Sequence, residues 1–261
     1  MKILFVGDIV GKPGRKAFAA IAGAMKRDGR VDFVVANAEN AAGGRGPSSR
    51  IARQIFDAGA DVITLGDHAW DEKELLPMIS EDRRIVRPAN FAPGCPGRGW
   101  TTISTPRGNL TVINLIGRVF MQPLYSCPFQ QSSDILADRL GKSSVILVDF
   151  HAEATSEKIA MGRHLDGRVT AMVGTHTHVQ TADECILPEG SAYITDVGMT
   201  GPKDSVIGRE VQPVLQKFRT GMPQRFDVAA KDVWLEGVLI EADPASGRAL
   251  SIERIKAPLE E

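Results

Sequence analysis

The sequence contains little cysteine, no excess of charge of either sign and no long apolar run. Its three cysteines, Cys95, Cys127 and Cys185, lie far apart and form no CxxC pair. They favour unpaired thiols in a reducing compartment over a disulfide framework or a zinc knuckle. The longest apolar runs, such as 145–148, are much shorter than the ~20 residues that cross a bilayer. Because Asp8 interrupts the apolar start too early for a signal peptide, we expect a cytoplasmic protein without a membrane span.

The charge of the chain is balanced, since 31 lysine and arginine residues face 32 aspartate and glutamate residues. The resulting net charge of −1 argues against a protein that holds nucleic acid as a partner through bulk electrostatics. Aromatic residues make up only 6% of the chain, so stacking platforms for single strands are also scarce. Neither observation excludes a nucleotide as a small-molecule substrate, because one local site is enough to bind it.

Apolar residues make up 43% of the 261 residues, which is enough for a large core. We find no internal repeat, linker or low-complexity run, and therefore predict a single domain over residues 1–261. Short apolar runs that alternate with polar loops and helical patterns predict parallel βαβ units and an α/β fold. The predicted strands are Ile3–Val6, Phe33–Val35, Val62–Leu65, Val145–Val148, Ala171–Val173 and Tyr193–Thr195. Five helices are predicted. The first contains Phe18 to Met25 and ends near Gly29, and the second begins at Ser48 or Ser49. The third follows a capping box at Asp71 and Glu74 with an interruption at Pro77, the fourth runs from Ser132-Ser133 to Gly141, and the fifth spans Ser156–Leu165 with Thr155 as the cap.

The middle of the chain, 118–128, predicts a long irregular loop, which in a compact domain often lies over a site. Its large side chains, Phe120, Met121 and Tyr125, are also compatible with ordinary packing. Two other stretches predict antiparallel hairpins. These hairpins pair Thr101–Ser104 with Leu110–Ile116 around a turn at Pro106-Arg107-Gly108, and Trp234–Ile240 with Leu250–Ile255 around a turn near 244–247.

Polar side chains follow the predicted strands at their carboxyl ends, where parallel sheets place their ligands. A single aspartate there could be a helix N-cap, and a lone His-x-His could lie in a polar loop. The repetition at successive strand ends favours one shared site. His176 and His178 lie two residues apart and so point to the same side of an extended chain. The candidate residues are Asp8, Glu39, Asn40, Asp67, His68, His151, His176 and His178, which leaves only His164 of the five histidines as a structural or solvated residue.

This mixture of carboxylates and imidazoles without thiolates is typical of iron, manganese or zinc sites. The ligands are too many for one tetrahedral ion, and a carboxylate that can bridge predicts two ions ~3.5–4 Å apart. Two such ions favour hydrolysis of a phosphate ester by in-line attack of a hydroxide that bridges them. A proton donor should face the leaving oxygen. His68 is the best candidate, because it follows Asp67 yet points to the other side of an extended backbone.

Five sequence blocks carry a resemblance to a known family: GDIVG, NAENAAGG, LGDHAWD, DFHAEATSEK and GTHTHVQTAD. They resemble the strand-end motifs of the calcineurin-like metallophosphoesterases, and in detail the YmdB-type branch of that superfamily. The segment TDVGMTGPKDSVIG, from Thr195 to Gly208, is part of the same likeness. The resemblance covers nearly the whole chain. It implies a four-layer α/β/β/α sandwich, with two mixed sheets flanked by helices.

The resemblance also implies roles for the candidate residues. Glu39 would bridge two divalent metal ions, and His68 would be the proton donor. The implied activity is hydrolysis of phosphodiesters, including 2′,3′-cyclic AMP, and the implied metals are iron or manganese. The remaining ligands form two groups, Asp8, Asn40 and His178 for one ion and Asp67, His151 and His176 for the other.

One position departs from the superfamily, which usually has asparagine where this chain has Asp67. Three ionised carboxylates and a bridging hydroxide would bring two divalent ions to neutrality, whereas asparagine would leave one positive charge. We therefore expect Asp67 to strengthen metal retention and to weaken the attraction for an anionic phosphate.

Two other interpretations stay open at this stage. A phosphomonoesterase or a nuclease could use the same metal core, and a metal- or nucleotide-binding regulator could carry it with incidental turnover. An intact His68 beside a complete ligand set favours the enzyme. The oligomeric state also stays open. Weaker candidates around the core are Arg45, Glu153, Thr155, Ser156, Thr177 and Asp196.

Overall fold

The protein is described by a computed structural model that covers residues 1–105, 108–139 and 145–260. Within these ranges the chain forms two mixed β-sheets with helices on their outer faces. The strands are β1 (Lys2–Val6), β2 (Asp8–Ile9), β3 (Phe33–Asn37), β4 (Val62–Thr64), β5 (Ile85–Val86), β6 (Trp100–Thr105), β7 (Gly108–Ile116), β8 (Val145–His151), β9 (Ala171–Thr175), β10 (Cys185–Ile186), β11 (Ala192–Ile194), β12 (Met199–Pro202), β13 (Val233–Ala242) and β14 (Ala249–Pro258). The helices are α1 (Gly11–Ala17), a π-helical segment (Phe18–Ala22), α2 (Gly23–Arg27), α3 (Ser49–Asp57), a 3₁₀ turn (Lys73–Leu75), α4 (Leu76–Glu81), α5 (Pro128–Arg139), α6 (Thr155–Leu165) and α7 (Val211–Thr220).

The first sheet has the order β2-β12-β13-β1-β3-β4-β5, with β14 beside β13. Strands β1, β3, β4 and β5 are parallel, and β13 joins β1 in antiparallel fashion. The second sheet has the order β10-β11-β9-β8-β7-β6, in which β7, β8, β9 and β11 are parallel. Each sheet therefore has a parallel centre and at least one antiparallel edge.

Three apolar cores separate four layers. Along β1, Leu4 packs in the core under the first sheet's helices, whereas Ile3 and Phe5 pack between the sheets, as the alternation of a strand requires. The middle core also contains Val112 and Val173 of the second sheet. The third core packs α5 and α6 on the outer face of the second sheet, through Ile135, Met161, Leu165, Val148 and Phe150. The predicted α/β/β/α sandwich is thus confirmed.

The strand registers bring the carboxyl ends of both parallel centres to one edge. Val6 pairs with Ala36 and Asn37 with Thr64, so β1, β3 and β4 end at similar heights. His151, the last residue of β8, pairs with Thr175 of β9. The loops after these strands, which carry the candidate residues, therefore meet at the same edge of the sandwich.

Several local expectations need correction. Pro77 does not interrupt a helix but lies in the first turn of α4, where its missing N–H has no helical partner to lose. Thr155 is the first residue of α6, and Ala154 at the N-cap forms no side-chain hydrogen bond. The capping box at Asp71 and Glu74 does not form, since Glu72 occupies the N-cap of the 3₁₀ turn without a side-chain cap. Helix α5 begins at Pro128, ahead of the predicted start.

Other expectations hold or fall outside the described ranges. Ser48 caps α3 by accepting the backbone N–H of Ile51. Both predicted hairpins form, as β6–β7 and β13–β14. The turn at Pro106-Arg107 and the helix end at Gly141 lie outside the described residues. Sequence patterns missed α7 and the short strands β2, β5, β10 and β12. No helix in the described ranges is long and apolar enough to cross a membrane.

Candidate metal centre

Four side chains from both sheets converge at the shared strand edge. One ligand atom each from Glu39, Asp67, His151 and His176 lies within 4.8 Å of the other three. Nε2 of His151 is 3.1 Å from Oε1 of Glu39, 3.0 Å from Oδ1 of Asp67 and 3.0 Å from Nδ1 of His176. Carboxylate and imidazole atoms at such distances could hold a metal ion.

The remaining predicted ligands, Asp8, Asn40 and His178, lie next to these four residues. Nδ2 of Asn40 is 2.8 Å from Oε1 of Glu39 and 3.3 Å from Nε2 of His178. Oδ2 of Asp8 accepts the backbone N–H of His176 at 3.1 Å. Its second oxygen, Oδ1, is buried and has no hydrogen-bond partner. Such an atom is costly to bury unless a cation contacts it, so this half also fits a metal ligand set.

The charges of the centre are unbalanced without a cation. In the described part of the chain, no lysine or arginine forms an ion pair with Asp8, Glu39 or Asp67. Burial raises the pKa of Asp8 well above its usual value. Burial also raises the pKa of Glu39 and Asp67, but His151 outweighs it and holds both values below their usual range. Buried carboxylates require a positive partner, which a divalent ion would supply.

The histidines are prepared to different degrees for metal binding. Burial lowers the pKa of His151, but Glu39 and Asp67 outweigh burial and raise it well above its ordinary value. Burial and the neighbouring His151 lower the pKa of His176 to about 4. Burial also lowers the pKa of His178. His176 and His178 are therefore neutral near pH 7, with lone pairs available for a cation.

A buried network beneath the centre orients His151. The hydroxyl of Thr175 donates to Oδ1 of Asp149 at 2.7 Å and lies 2.9 Å from Nδ1 of His151. Asp149 also accepts from Asn37 and Thr64, and these contacts join strands of both sheets. Because the Thr175 hydroxyl has one proton, it accepts the Nδ1–H of His151. Nε2 of His151 then faces Glu39 and Asp67, and it is the ring atom left for a metal ion.

The loop with the other two histidines has an unusual backbone. His176 and His178 have φ values of 100° and 63°, a region that non-glycine residues rarely adopt. Thr177 between them donates its backbone N–H and its hydroxyl to Oδ2 of Asp196, at 3.2 and 2.7 Å. The same oxygen accepts from Nζ of Lys158 at 2.7 Å. Both members of this ion pair are fully buried, so the pair anchors the strained loop from below.

His68 lies beside the cluster, and its Nδ1 is turned toward Asp71. Its Nε2 is 4.0 Å from Oδ2 of Asp67, and its backbone N–H donates to Oε2 of Glu39 at 3.4 Å. Nδ1 of His68 is 2.8 Å from Oδ2 of Asp71. Asp71 therefore orients the imidazole of His68 rather than capping a helix. The side chain of His68 is 38% exposed, so a bound ester could reach it.

The structure thus brings together all eight predicted site residues, and their individual roles stay a prediction. His164 lies elsewhere, near Ser133 and edge-on to Phe129. Sequence reasoning missed the supporting contacts that Lys158, Asp149 and Asp71 form. Only Asp71 left a signal, its spacing of three residues from His68.

One weaker candidate, Glu153, and part of the loop 118–128 lie beside the cluster. Oε2 of Glu153 is 3.2 Å from Nε2 of His176, which leaves Nδ1 of that histidine toward the cluster. In the loop 118–128, Met121 is buried, whereas Phe120 is 87% exposed. Tyr125 packs against Phe91, and burial together with Asp67 and Glu39 raises its pKa to about 12.

Known proteins share both the sequence and the fold. A model of the YmdB-like protein family matches residues 4–255. A Bacillus subtilis (strain 168) protein named 2′,3′-cyclic-nucleotide 2′-phosphodiesterase is 47% identical over 255 residues, which cover 98% of this chain and 96% of that protein. The crystal structure of a novel phosphatase from Mycoplasma pneumoniae is 35% identical, has a TM-score of 0.93 and covers 99% of this chain and 93% of that chain.

A more distant structure shares the fold alone. The NAD nucleotidase (NadN) of Haemophilus influenzae is 11% identical with a TM-score of 0.62, and the alignment covers 99% of this chain and 56% of that chain. The match of the family model over residues 4–255 and the relative at 47% identity therefore decide the family. The chain belongs to the YmdB-like protein family.

Proposed function

We propose that this protein is a metal-dependent phosphodiesterase that hydrolyses 2′,3′-cyclic nucleotides with two divalent ions, iron or manganese. The observation that carries the proposal is the position of Glu39, whose carboxylate contacts both His151 and Asn40. One carboxylate between two groups of ligands suits a bridge between two ions. The name and 47% identity of the Bacillus subtilis relative support the cyclic nucleotide as substrate. We also propose that residues 1–261 act as one domain in the cytoplasm.

The ligands divide by their contacts with Glu39. Asp67, His151 and His176 would hold one ion, because one ligand atom of each lies within 4.8 Å of the others and of Glu39. The second ion would take the group of Asp8, Asn40 and His178. When bound, the two ions would neutralise charge on the phosphate and lower the pKa of the attacking water.

His68 would supply the proton that the leaving oxygen needs. Its Nδ1 is bonded to Asp71, which leaves Nε2 as the atom that can reach the ester. The protein thereby separates two tasks, since the buried cluster binds the phosphate and the exposed imidazole serves the leaving group. Asp71 acts through His68 and is a positioning residue.

The test is turnover of 2′,3′-cyclic AMP by protein loaded with manganese or iron, with 3′,5′-cyclic AMP and a phosphomonoester in parallel. We expect hydrolysis of the 2′,3′-cyclic ester, and a decrease of about 10²–10⁴-fold in kcat for His68→Ala at unchanged metal content. His164→Ala is the matched control, because His164 lies outside the site. Faster turnover of the phosphomonoester would favour that alternative. No turnover with both metals bound would refute the enzyme and favour a regulator.

A further inference from the structure

A groove beside the metal centre concentrates positive charge in a chain whose net charge is −1. The cavity has a volume of about 1210 Å³, larger than the roughly 300–1,000 Å³ of most small-ligand pockets. Arg225 and Asp227 in its wall pair with each other at 3.1 Å. The other charged side chains that line the groove are one acid, Glu72, and four cations, Lys12, Arg15, Arg45 and Arg209.

The four cations have no carboxylate partner in the described part of the chain. Arg209 instead donates to the backbone oxygens of Gly43 and Gly44, both at 2.9 Å, and Arg15 donates to that of Ala41. Hydrogen bonds to carbonyl oxygens orient a guanidinium group without neutralising its charge. Burial and the proximity of Arg45 lower the pKa of Arg209, and Asp227 offsets only part of this effect. The groove therefore presents cationic side chains that form no ion pair and are available to an anion.

The groove adjoins the backbone segments that carry Asn40 and His68. Ala42, Gly43 and Arg45 of its wall follow Asn40 closely in the chain. The carbonyl oxygen of Asn40 accepts from the backbone N–H groups of Gly11 and Gly44. Gly46 packs so closely on the turn of His68 that a Cβ there would lie 2.2 Å from the carbonyl oxygen of His68. A leaving group that His68 protonates would therefore depart beside this groove.

The positive surface continues beyond the groove. A second cavity of about 500 Å³ shares Lys12 and Arg15 with the first and adds Lys16 and Arg50. No acidic residue lines this second cavity. A single nucleotide fills one site and needs no extended basic surface, whereas each further nucleotide of a chain brings one more phosphate to neutralise.

We infer that the groove binds the backbone phosphates of a short oligoribonucleotide whose terminal 2′,3′-cyclic phosphate occupies the metal centre. The inference rests on the proposed function and names its substrate class. In the reaction, the oxygen of water bonds to phosphorus and the bond from phosphorus to O2′ breaks. O2′ takes a proton from His68, and the product is an oligonucleotide with a 3′-phosphate. The balanced net charge argues against bulk binding of nucleic acid but does not bear on a local groove.

The first experiment compares kcat/KM for 2′,3′-cyclic AMP and for a diadenosine nucleotide that ends in the same cyclic phosphate. We expect the dinucleotide to be favoured by about ten-fold or more at low salt. A third substrate carries an uncharged methylphosphonate between its two nucleosides. It should lose the advantage, because its shape is retained and its charge is not. An equal kcat/KM for all three substrates would overturn the inference while the proposed function stands. A methylphosphonate substrate that kept the kcat/KM advantage of the dinucleotide would also overturn the inference.

The second experiment changes the groove. In Lys12→Gln/Arg45→Gln, the ratio of dinucleotide to mononucleotide kcat/KM should fall toward one, and its salt dependence should weaken. Arg30→Gln/Arg83→Gln is the matched control, since both residues are exposed and line neither cavity. The control should keep the wild-type ratio. An unchanged ratio in the groove variant would contradict the inference.

If the metal-loaded protein turns over none of the substrates, the proposed function fails. A binding measurement then tests the groove independently of turnover. The probe is then a 5′-fluorescein-labelled hexa-adenylate with a 3′-phosphate, followed by fluorescence anisotropy. We expect the groove variant to raise the Kd about ten-fold relative to the wild type and to the control variant. An equal Kd for all three proteins would overturn the inference.

Discussion

The two sheets contribute different chemistry to the candidate metal centre. The first sheet supplies the proposed oxygen ligands, Asp8, Glu39, Asn40 and Asp67, at the ends of β1, β3 and β4. The second sheet supplies the imidazoles, His151, His176 and His178, at the ends of β8 and β9. Their supports also differ. The loop after β3 is held largely by backbone hydrogen bonds, whereas buried side-chain contacts to Asp149 and Asp196 hold the histidines.

This difference shows which side chains of the site need the more exact positioning. A carboxylate has two oxygens and tolerates small displacements, whereas an imidazole binds through one lone pair of fixed direction. The histidine side therefore needs the more elaborate support, and it includes a backbone with positive φ at two ligands. We expect changes on that side to have the largest consequences for metal affinity.

The largest effect should follow loss of the buried ion pair. Lys158→Met leaves the buried carboxylate of Asp196 unpaired and should lower the free energy of unfolding by about 3–5 kcal/mol. The double variant Lys158→Met/Asp196→Asn removes both charges and should recover much of that loss. Its metal affinity should still fall about 10–100-fold, because Thr177 loses its charged acceptor. Denaturant unfolding and metal titration measure the two effects.

An exposed ion pair provides the matched control for this experiment. Arg254→Met breaks the pair with Glu184, and should change the free energy of unfolding by only about 0–1 kcal/mol. A stably folded double variant with wild-type metal affinity would contradict the positioning role of Asp196.

Asp71→Asn should have the next largest effect, and it acts on the first sheet's side. It replaces the charged acceptor that orients His68, so we expect kcat to fall about 10–100-fold at unchanged metal content. Glu74→Gln is the control, because its exposed carboxylate forms no described side-chain contact with the site. Steady-state kinetics with elemental analysis of the same samples would decide. Loss of metal together with activity would argue against a role confined to His68.

Asp67→Asn should produce a smaller effect, and it should strengthen substrate binding. Removing one negative charge from the ligand set leaves the metallated centre more positive, so KM should fall severalfold. Metal retention should weaken at the same time, because His151 loses its ionised partner. The measurement is KM at saturating metal together with the metal dissociation rate. An unchanged or higher KM in the fully metallated variant would refute the charge argument.

The smallest effect concerns Asp183, which supports the strand end that carries Asp196. Burial raises the pKa of Asp183, but hydrogen bonds from Thr181 and Thr195 outweigh burial and lower it. A folded-state pKa below the unfolded value stabilises the protein at pH values above the unfolded pKa, about 3.9. This contribution disappears as the pH falls through the folded pKa.

Asp183→Asn should therefore lower stability at pH 7, near the low end of about 0.5–1.5 kcal/mol because Asp183 is exposed. The difference from the wild type should shrink below about pH 4 and vanish once the pH is below the folded pKa of Asp183. Thermal unfolding across pH 3–7 measures it, and a difference independent of pH would show that the carboxylate charge is not its cause.

Sequence patterns predicted most of what is local in this protein. The strand ends with Asp8, Glu39 and Asp67 follow apolar runs, and the parallel arrangement brings such ends together. The buried position of Lys158 could not be predicted from the sequence in this way. It lies on a helix with mixed polar and apolar residues, and its burial depends on Asp196, which is 38 residues away. The pairing of β2 with β12 was missed for a similar reason. The sequence MTGP has no strand pattern, and it pairs with Asp8–Ile9 only because the fold brings the two segments together.

The central claim is that Glu39 bridges two metal ions, and anomalous diffraction from crystals of the manganese-loaded protein tests it most directly. We predict two anomalous peaks ~3.5–4 Å apart, both in contact with the carboxylate of Glu39. One peak should contact His151 and His176, and the other should contact Asn40 and His178. A single peak in fully loaded protein, or two peaks of which only one contacts Glu39, would contradict the account.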